Sequence, residues 1–114
     1  MSVSYFVRYD ITARDVEAFV SYYRTKHVAV LSSWPGLKSV VLHTPVDWRD
    51  PSPVNRGKAV LLAQLEFENV EALNEALASP QRTEARRDFE RLPPFEGAVT
   101  HQAMASDQAW RRKS

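Results

Sequence analysis

The chain contains no cysteine and only three glycines among its 114 residues. The lack of cysteine excludes a disulfide framework, a thiolate nucleophile and a cysteine-ligated metal. The sequence also has no glycine-rich phosphate loop and no serine in a nucleophile elbow. We therefore do not expect a hydrolase or a nucleotide-binding protein.

The sequence also has no marked excess of positive or negative charge and no long apolar run. Fifteen Lys and Arg residues face fourteen Asp and Glu residues, so the formal net charge is +1 and no broad basic field is available for nucleic acid. No apolar run approaches the roughly 20 residues that span a bilayer. The N-terminus lacks the basic start and apolar run of a secretory signal. We expect a cytoplasmic protein that binds neither nucleic acid nor membrane.

Hydrophobic periodicity predicts a single α+β domain over residues 1–106, followed by a mobile tail at 107–114. Strands are predicted at 4–10, 37–44, 58–68 and 98–104. One long helix should begin after Thr12 as its N-cap and end near Ser32, and a second helical region should begin at Asn69 and resume after Ser79-Pro80 to Arg91. This β-α-β-β-α-β order predicts a ferredoxin-like fold: a four-stranded antiparallel sheet with both helices on one face.

The third predicted strand is apolar on both faces at its start. Leu61, Ala63 and Leu65 belong to one face, whereas Val60 and Leu62 belong to the other. Because two helices can cover only one side of the sheet, a second copy of the chain is the simplest cover for the other. The sequence therefore predicts a homodimer through the sheet face. The alternative is an exposed sheet face that is simply part apolar.

His27 interrupts an apolar helical stripe. Residues three and four apart share a helix face, which places His27 with Val16, Phe19, Val20, Tyr23, Val30 and Leu31. One interpretation is a general acid/base that lines a pocket between helix and sheet, with Tyr23 orienting it or the substrate. The other is a core histidine whose ring nitrogens are satisfied by backbone groups or by Tyr23.

Four further aromatic residues are candidates for substrate binding. Tyr5 and Tyr9 share a strand face and could line the same cavity as His27, although core packing is the simpler explanation for both. Trp34 closes the first helix. Trp48 lies in a loop over residues 45–57, and loops of this length often cover binding sites, although a flexible surface loop is the alternative.

The remaining titratable residues suggest no metal site. His27, His43 and His101 lack metal-ligand spacing and evident carboxylate companions, so neither a bound metal nor haem is expected. The charged run from Glu84 to Arg91 is interpreted as a solvated helix face, with Arg86 and Glu90 one turn apart.

Several of these segments together resemble the EthD family. They are Phe19, Tyr22-Tyr23 and His27 followed by Pro35-Gly36-Leu37, and then Ser79-Pro80, Asp88-Phe89 and Phe95-Glu96-Gly97. The resemblance covers roughly residues 4–104. It implies a dimeric α+β barrel in which two ferredoxin-like subunits pack sheet to sheet. Relatives on that fold include lactone isomerases, cofactor-free quinone-forming monooxygenases and haem-handling enzymes, so the fold alone selects no reaction.

The sequence thus predicts a small enzyme that acts on an apolar or aromatic metabolite without a bound cofactor. The expected chemistry is isomerisation or cofactor-free oxygenation, with His27 as acid/base and Tyr23 as the orienting residue. One alternative is a non-catalytic binding or accessory protein for a hydrophobic compound in a degradation pathway. The other is a structural dimer without a cavity.

Overall fold

The computed structural model describes residues 2–113, so Met1 and Ser114, the ends of the predicted domain and tail, lie outside it. Its strands are β1 (Val3–Ala13), β2 (Ser39–His43), β3 (Leu61–Phe67) and β4 (Phe95–Ala105). Its helical segments are α1 (Val16–Tyr22), a π-helical turn (Tyr23–His27), α2 (Val28–Leu31), α3 (Val70–Leu77) and α4 (Pro80–Phe89). The first three helical segments follow one another directly and are called the first helix below.

The four strands form one antiparallel sheet in the order β2-β3-β1-β4. Alternate residues of β1 and β3 are buried beneath the helices: Tyr5, Val7, Tyr9, Ile11, Leu61, Ala63, Leu65 and Phe67. The predicted ferredoxin-like α+β fold is therefore confirmed.

Side-chain caps set the helix starts. The Asn69 side chain accepts a hydrogen bond from the Ala72 amide, and Ser79 caps α4 with Pro80 at its first position, as predicted. The predicted cap at Thr12 was wrong, because Asp15 caps α1. Thr12 belongs instead to β1, where it pairs with Glu96. The long partner strand β4 thus extends β1 beyond the point that local turn chemistry indicates.

An aromatic cluster fills the space between the first helix and the sheet. Tyr9 contacts the rings of Phe19, Tyr23 and Phe95 edge-on, with centroids 5.4 to 6.3 Å apart, and stacks on Phe89. Such edge-to-face pairs add about 0.5–1.5 kcal/mol each beyond the area they bury. This cluster fixes the depth at which the first helix packs on the sheet.

The other sheet face carries no helix. It presents Phe6, Val41, Leu62 and Met104 together with a polar row in which the Gln64 amide donates to Ser4 and its carbonyl oxygen contacts His43 Nε2. Val41 and Met104 are exposed. We call this surface the outer face. Among the helices of residues 2–113, none is both long enough and apolar enough to cross a membrane.

Gly97 has a conformation that the fold needs. Its φ is +127°, and a Cβ added there would lie 2.5 Å from the Asp10 carbonyl oxygen of the paired strand β1. Gly57 lacks both features, because its φ is ordinary and its nearest neighbour would be the end of the flexible Arg8 side chain at 3.5 Å.

Replacing Gly97 by alanine should lower the free energy of unfolding by about 2 kcal/mol, because it combines backbone strain with a backbone clash. Gly57→Ala is the matched control and should change stability by less than about 0.5 kcal/mol. Urea denaturation of the two variants measures the difference. Equal stabilities would show that β1 and β4 can separate at Gly97 without cost.

Candidate functional site

The first helix contains one wider, π-helical turn, over Tyr23–His27. In the π-helical turn the Val28 amide donates to the Tyr23 carbonyl, five residues earlier. Phe19, Tyr23, His27 and Leu31 are spaced by four and are all buried. In a regular helix of 3.6 residues per turn, each step of four would rotate about 40° past the previous residue. The wider turn absorbs part of that rotation and keeps Tyr23 and His27 facing the sheet.

His27 is held by a carboxylate from the opposite helix. Its Nδ1 lies 2.8 Å from Asp88 Oδ2, and both residues are buried, with 5% and 6% of their surface exposed. The second Asp88 oxygen accepts a hydrogen bond of 3.0 Å from the Tyr22 hydroxyl. The charged-run interpretation was therefore wrong for Asp88, and the statement that the histidines lack carboxylate companions was wrong for His27. The surface ion pair of that run joins Arg87 to Glu84 rather than Arg86 to Glu90.

A cavity of about 40 Å³ opens beside His27. Its inner wall is aromatic and aliphatic and consists of Tyr5, Val7, Tyr9, Tyr23, Leu31, Trp34, Leu65, Ala85 and Phe89. Three cationic or titratable side chains, Arg82, Arg86 and His101, complete the lining; Arg86 and His101 are exposed, and Arg82 is half-buried. We call these three residues the rim. The cavity is smaller than the roughly 150 Å³ that holds a benzene molecule in an engineered protein core.

The surroundings of His27 favour its neutral form. Burial lowers the pKa of His27 below its ordinary value of 6.5, and the hydrogen bond and charge of Asp88 oppose that shift only in part. A neutral imidazole that meets a carboxylate through Nδ1 donates its proton there. The unprotonated nitrogen is then Nε2, which makes no hydrogen bond within residues 2–113. His27 is thus arranged to accept a proton through Nε2.

The tyrosines of the inner wall are kept protonated. Burial raises the pKa of Tyr9 to about 12 and holds that of Tyr23 well above its ordinary value. Both hydroxyls therefore stay protonated near neutral pH, and the two side chains are hydrogen-bonded to each other. The Trp34 indole is 6% exposed, and its Nε1 is buried without a hydrogen-bond partner in the described part of the chain. An unpaired buried donor in the cavity wall is costly unless a ligand accepts from it.

Five of the six candidate residues meet in this cavity: His27, Tyr23, Tyr5, Tyr9 and Trp34. Trp48 does not. It is 48% exposed and stacks beneath Arg56, whose guanidinium carbon lies 4.1 Å from the ring centroid, in a separate shallow groove. Whether any of these residues acts on a substrate stays a prediction.

Asp88, Tyr22 and the rim arginines were not singled out as site residues from the sequence. For Asp88 a usable signal existed. Ala85, Asp88, Phe89 and Leu92 are spaced as one helical stripe, and Ala85, Asp88 and Leu92 are all buried. Asp88 interrupts an apolar helical stripe in the same way as His27 does, and in the structure these two residues pair with each other.

The fold and the His27–Asp88 pair define a class: ferredoxin-like α+β proteins with a helix–sheet cavity. Among solved structures, an EthD family protein from Bacillus halodurans superimposes with a TM-score of 0.71 at 20% identity, covering 94% of this chain and 100% of the other. A monooxygenase from Streptomyces coelicolor bound to nanaomycin D gives 0.69 at 18% identity, covering 98% and 93%. A dimeric protein of ferredoxin-like fold from Bacteroides fragilis gives 0.58 at 10% identity, covering 90% and 94%.

At these identities the comparisons show the fold. The resemblance to the EthD family is confirmed at that level, and the fold is shared with a dimeric protein and with a small-molecule enzyme. No family model and no curated protein matches the sequence.

Acidification should destabilise the protein through His27. Because the pKa of His27 is lower in the folded than in the unfolded state, the unfolded chain binds more protons below about pH 6.5. The contribution of His27 to stability is therefore complete above that pH and falls as pH decreases toward the folded pKa. Calorimetric melting of wild type and His27→Gln between about pH 7.5 and pH 5.5 should show a weaker pH dependence in the variant. Parallel curves would contradict this assignment.

Proposed function

We propose that the protein is a small enzyme that moves protons on an apolar or aromatic metabolite, with His27 as the acid/base. The observation that supports this most strongly is the 2.8 Å contact between His27 Nδ1 and buried Asp88. It fixes the tautomer, so that the basic Nε2 is the nitrogen left for a substrate. A histidine serving only as core packing needs no buried carboxylate, since a backbone carbonyl would satisfy its donor at lower desolvation cost.

The proposed reaction begins with removal of a proton from carbon. The C–H bond breaks, its electron pair remains on the substrate as an enolate, and the proton moves to His27 Nε2. Asp88 stabilises the imidazolium that forms, because its charge lies 2.8 Å from Nδ1. The enolate oxygen would need a hydrogen-bond donor from the cavity wall, and the Tyr23 hydroxyl is the candidate, provided that it exchanges its hydrogen bond with Tyr9 for one to the substrate. Return of the proton to a different carbon gives an isomer. Alternatively, dioxygen as co-substrate would oxidise the enolate by forming a C–O bond, and the resulting peroxide would take the proton back from His27 to give a hydroperoxide.

The cavity limits what can bind without rearrangement. About 40 Å³ admits the reactive part of a molecule rather than a whole aromatic ring system. The substrate body must therefore extend through the rim or displace the half-buried Phe89 ring. Because the wall is mainly apolar, the inserted part should itself be apolar apart from the enolisable carbonyl group.

Changing His27 to glutamine should lower kcat by about 10²- to 10⁴-fold, since it removes the proton acceptor while preserving shape and polarity. Deuterium incorporation from D₂O into a panel of carbon acids (unsaturated lactones, 1,3-diketones and anthrones), followed by NMR, detects the proton transfer directly. His43→Gln is the matched control, because His43 lies on the outer face beside Gln64.

Asp88→Asn tests whether Asp88 acts on the chemistry of His27 or only supports the structure around it. Asp88 raises the pKa of His27, so removing its charge should lower that pKa and move the acidic limb of the kcat/KM profile to lower pH.

An unchanged rate of deuterium exchange in His27→Gln would refute the acid/base role of His27. Saturable binding of the panel without any exchange would instead favour the binding-protein alternative.

We also propose that two chains associate through their outer faces. Phe6, Val41, Leu62 and Met104 place apolar side chains on a face that has no covering helix, and Phe6, Leu62 and Met104 line one shallow depression there. Packing against the same face of a second copy would bury these side chains and give an isologous interface. The cavity opens on the helix side, so association in this way leaves it accessible.

Leu62→Lys should convert the dimer to a monomer at micromolar concentration, because it places a charge in the middle of the interface. Val70→Lys is the control, since Val70 is a solvent-exposed apolar residue on a helix, away from the outer face, and is 46% exposed. Native mass spectrometry gives both masses. A monomeric wild-type protein would refute the interface, and a Leu62→Lys variant that remains dimeric would show that the dimer forms elsewhere.

A further inference from the structure

The rim of the cavity points to a substrate class. We infer that the protein takes a carboxylic acid whose carboxylate binds Arg82 and Arg86 while the apolar segment next to the carboxylate enters the cavity. This inference rests on the proposed function for its reaction, but the binding of the acid depends on different residues.

Two guanidinium groups stand at one side of the cavity. Arg82 and Arg86 lie four residues apart on α4, which puts them on the same helix face, and both line the cavity. Within residues 2–113 neither forms an ion pair; the arginine–carboxylate pairs there are Arg8–Asp10 and Arg87–Glu84. Arg82 makes only a long 3.5 Å contact to the Leu77 carbonyl, and Arg86 lies over the Phe89 ring at 5.3 Å. Their donors are thus left for a ligand.

Among the described residues, no carboxylate balances the two arginines within the cavity. The lining drawn from residues 2–113 contains no aspartate or glutamate, and the nearby Asp88 lies behind His27, where it accepts from Tyr22 and His27. The excess is local, since the whole chain has 15 basic and 14 acidic residues. His101 is affected by the same positive charges. Its pKa is lowered mainly by burial and further by the charges of Arg86 and Arg82. An apolar chamber with a cationic rim is complementary to an apolar acid.

This arrangement also orients the substrate. A carboxylate held bidentately by a guanidinium is fixed in both position and direction. With the carboxylate at the rim, the rest of the molecule extends inward toward Tyr23 and His27, where the proposed proton transfer takes place. Arg86 can hold such a pose at low entropic cost, because its guanidinium already packs on Phe89.

Calorimetric titration with butanoate and hexanoate, each compared with its primary amide, tests the inference. The acids should bind about tenfold more tightly than the amides at low ionic strength, and the preference should shrink as salt is added. Arg82→Gln and Arg86→Gln should each remove most of the preference and leave amide affinity unchanged. Arg87→Gln is the matched control, because Arg87 is on the same helix but pairs with Glu84 in solvent.

Equal affinity for acids and amides, absence of binding at millimolar concentration, or an equal effect of Arg87→Gln would each overturn the inference. The acid/base proposal is tested separately. A His27→Gln variant should retain the acid preference, since both its side chain and the neutral imidazole are uncharged. If His27→Gln keeps both the preference for acids and the wild-type rate of proton exchange, the role of His27 is refuted and the role of the rim stands. If His27→Gln loses proton exchange but the protein shows no preference for acids over amides, the role of the rim is refuted and the role of His27 stands.

Discussion

The hydrogen bond between His27 and Asp88 is the constraint on which the rest of the site depends. It joins the first helix to α4 across 61 residues of sequence and fixes how closely the two helices approach above the sheet. That spacing determines the cavity, because the inner wall comes from both helices and the sheet below them. It also determines the tautomer of His27. One buried contact thus sets both the shape of the chamber and the nitrogen that faces it.

Fold prediction succeeded where the signal was local or periodic. The alternation of buried residues in β3 and the caps at Asn69 and Ser79 can be found in the sequence because each depends on neighbours within a few residues. The error at Thr12 has a tertiary origin. Thr12 has the chemistry of a cap, but pairing of β1 with β4 continues as far as Ala13 and leaves the capping position to Asp15.

The site was predictable in part for the same reason. His27 could be found because it stands out on an apolar stripe. Asp88 was obscured by its neighbours, since in a run of charged residues the one that turns inward looks like those that face solvent. The π-helical turn has no clear sequence signature either, because Tyr23 to His27 would form an ordinary helix equally well. Both the pairing of His27 with Asp88 and the π-helical turn depend on how the first helix packs against α4, and the sequence pattern does not describe that packing.

The distribution of charge around the cavity explains how a buried carboxylate and an anionic substrate can coexist. Asp88 has no Lys or Arg partner within the described residues and is held by the Tyr22 hydroxyl and the His27 imidazole. Its charge therefore remains available to His27. In the proposed reaction, protonation of His27 makes the His27–Asp88 pair neutral overall, and the enolate would lie beside the cationic imidazolium at Nε2. In the proposed binding mode, the two rim arginines would compensate the carboxylate, so that each negative charge of the bound intermediate would have a positive neighbour.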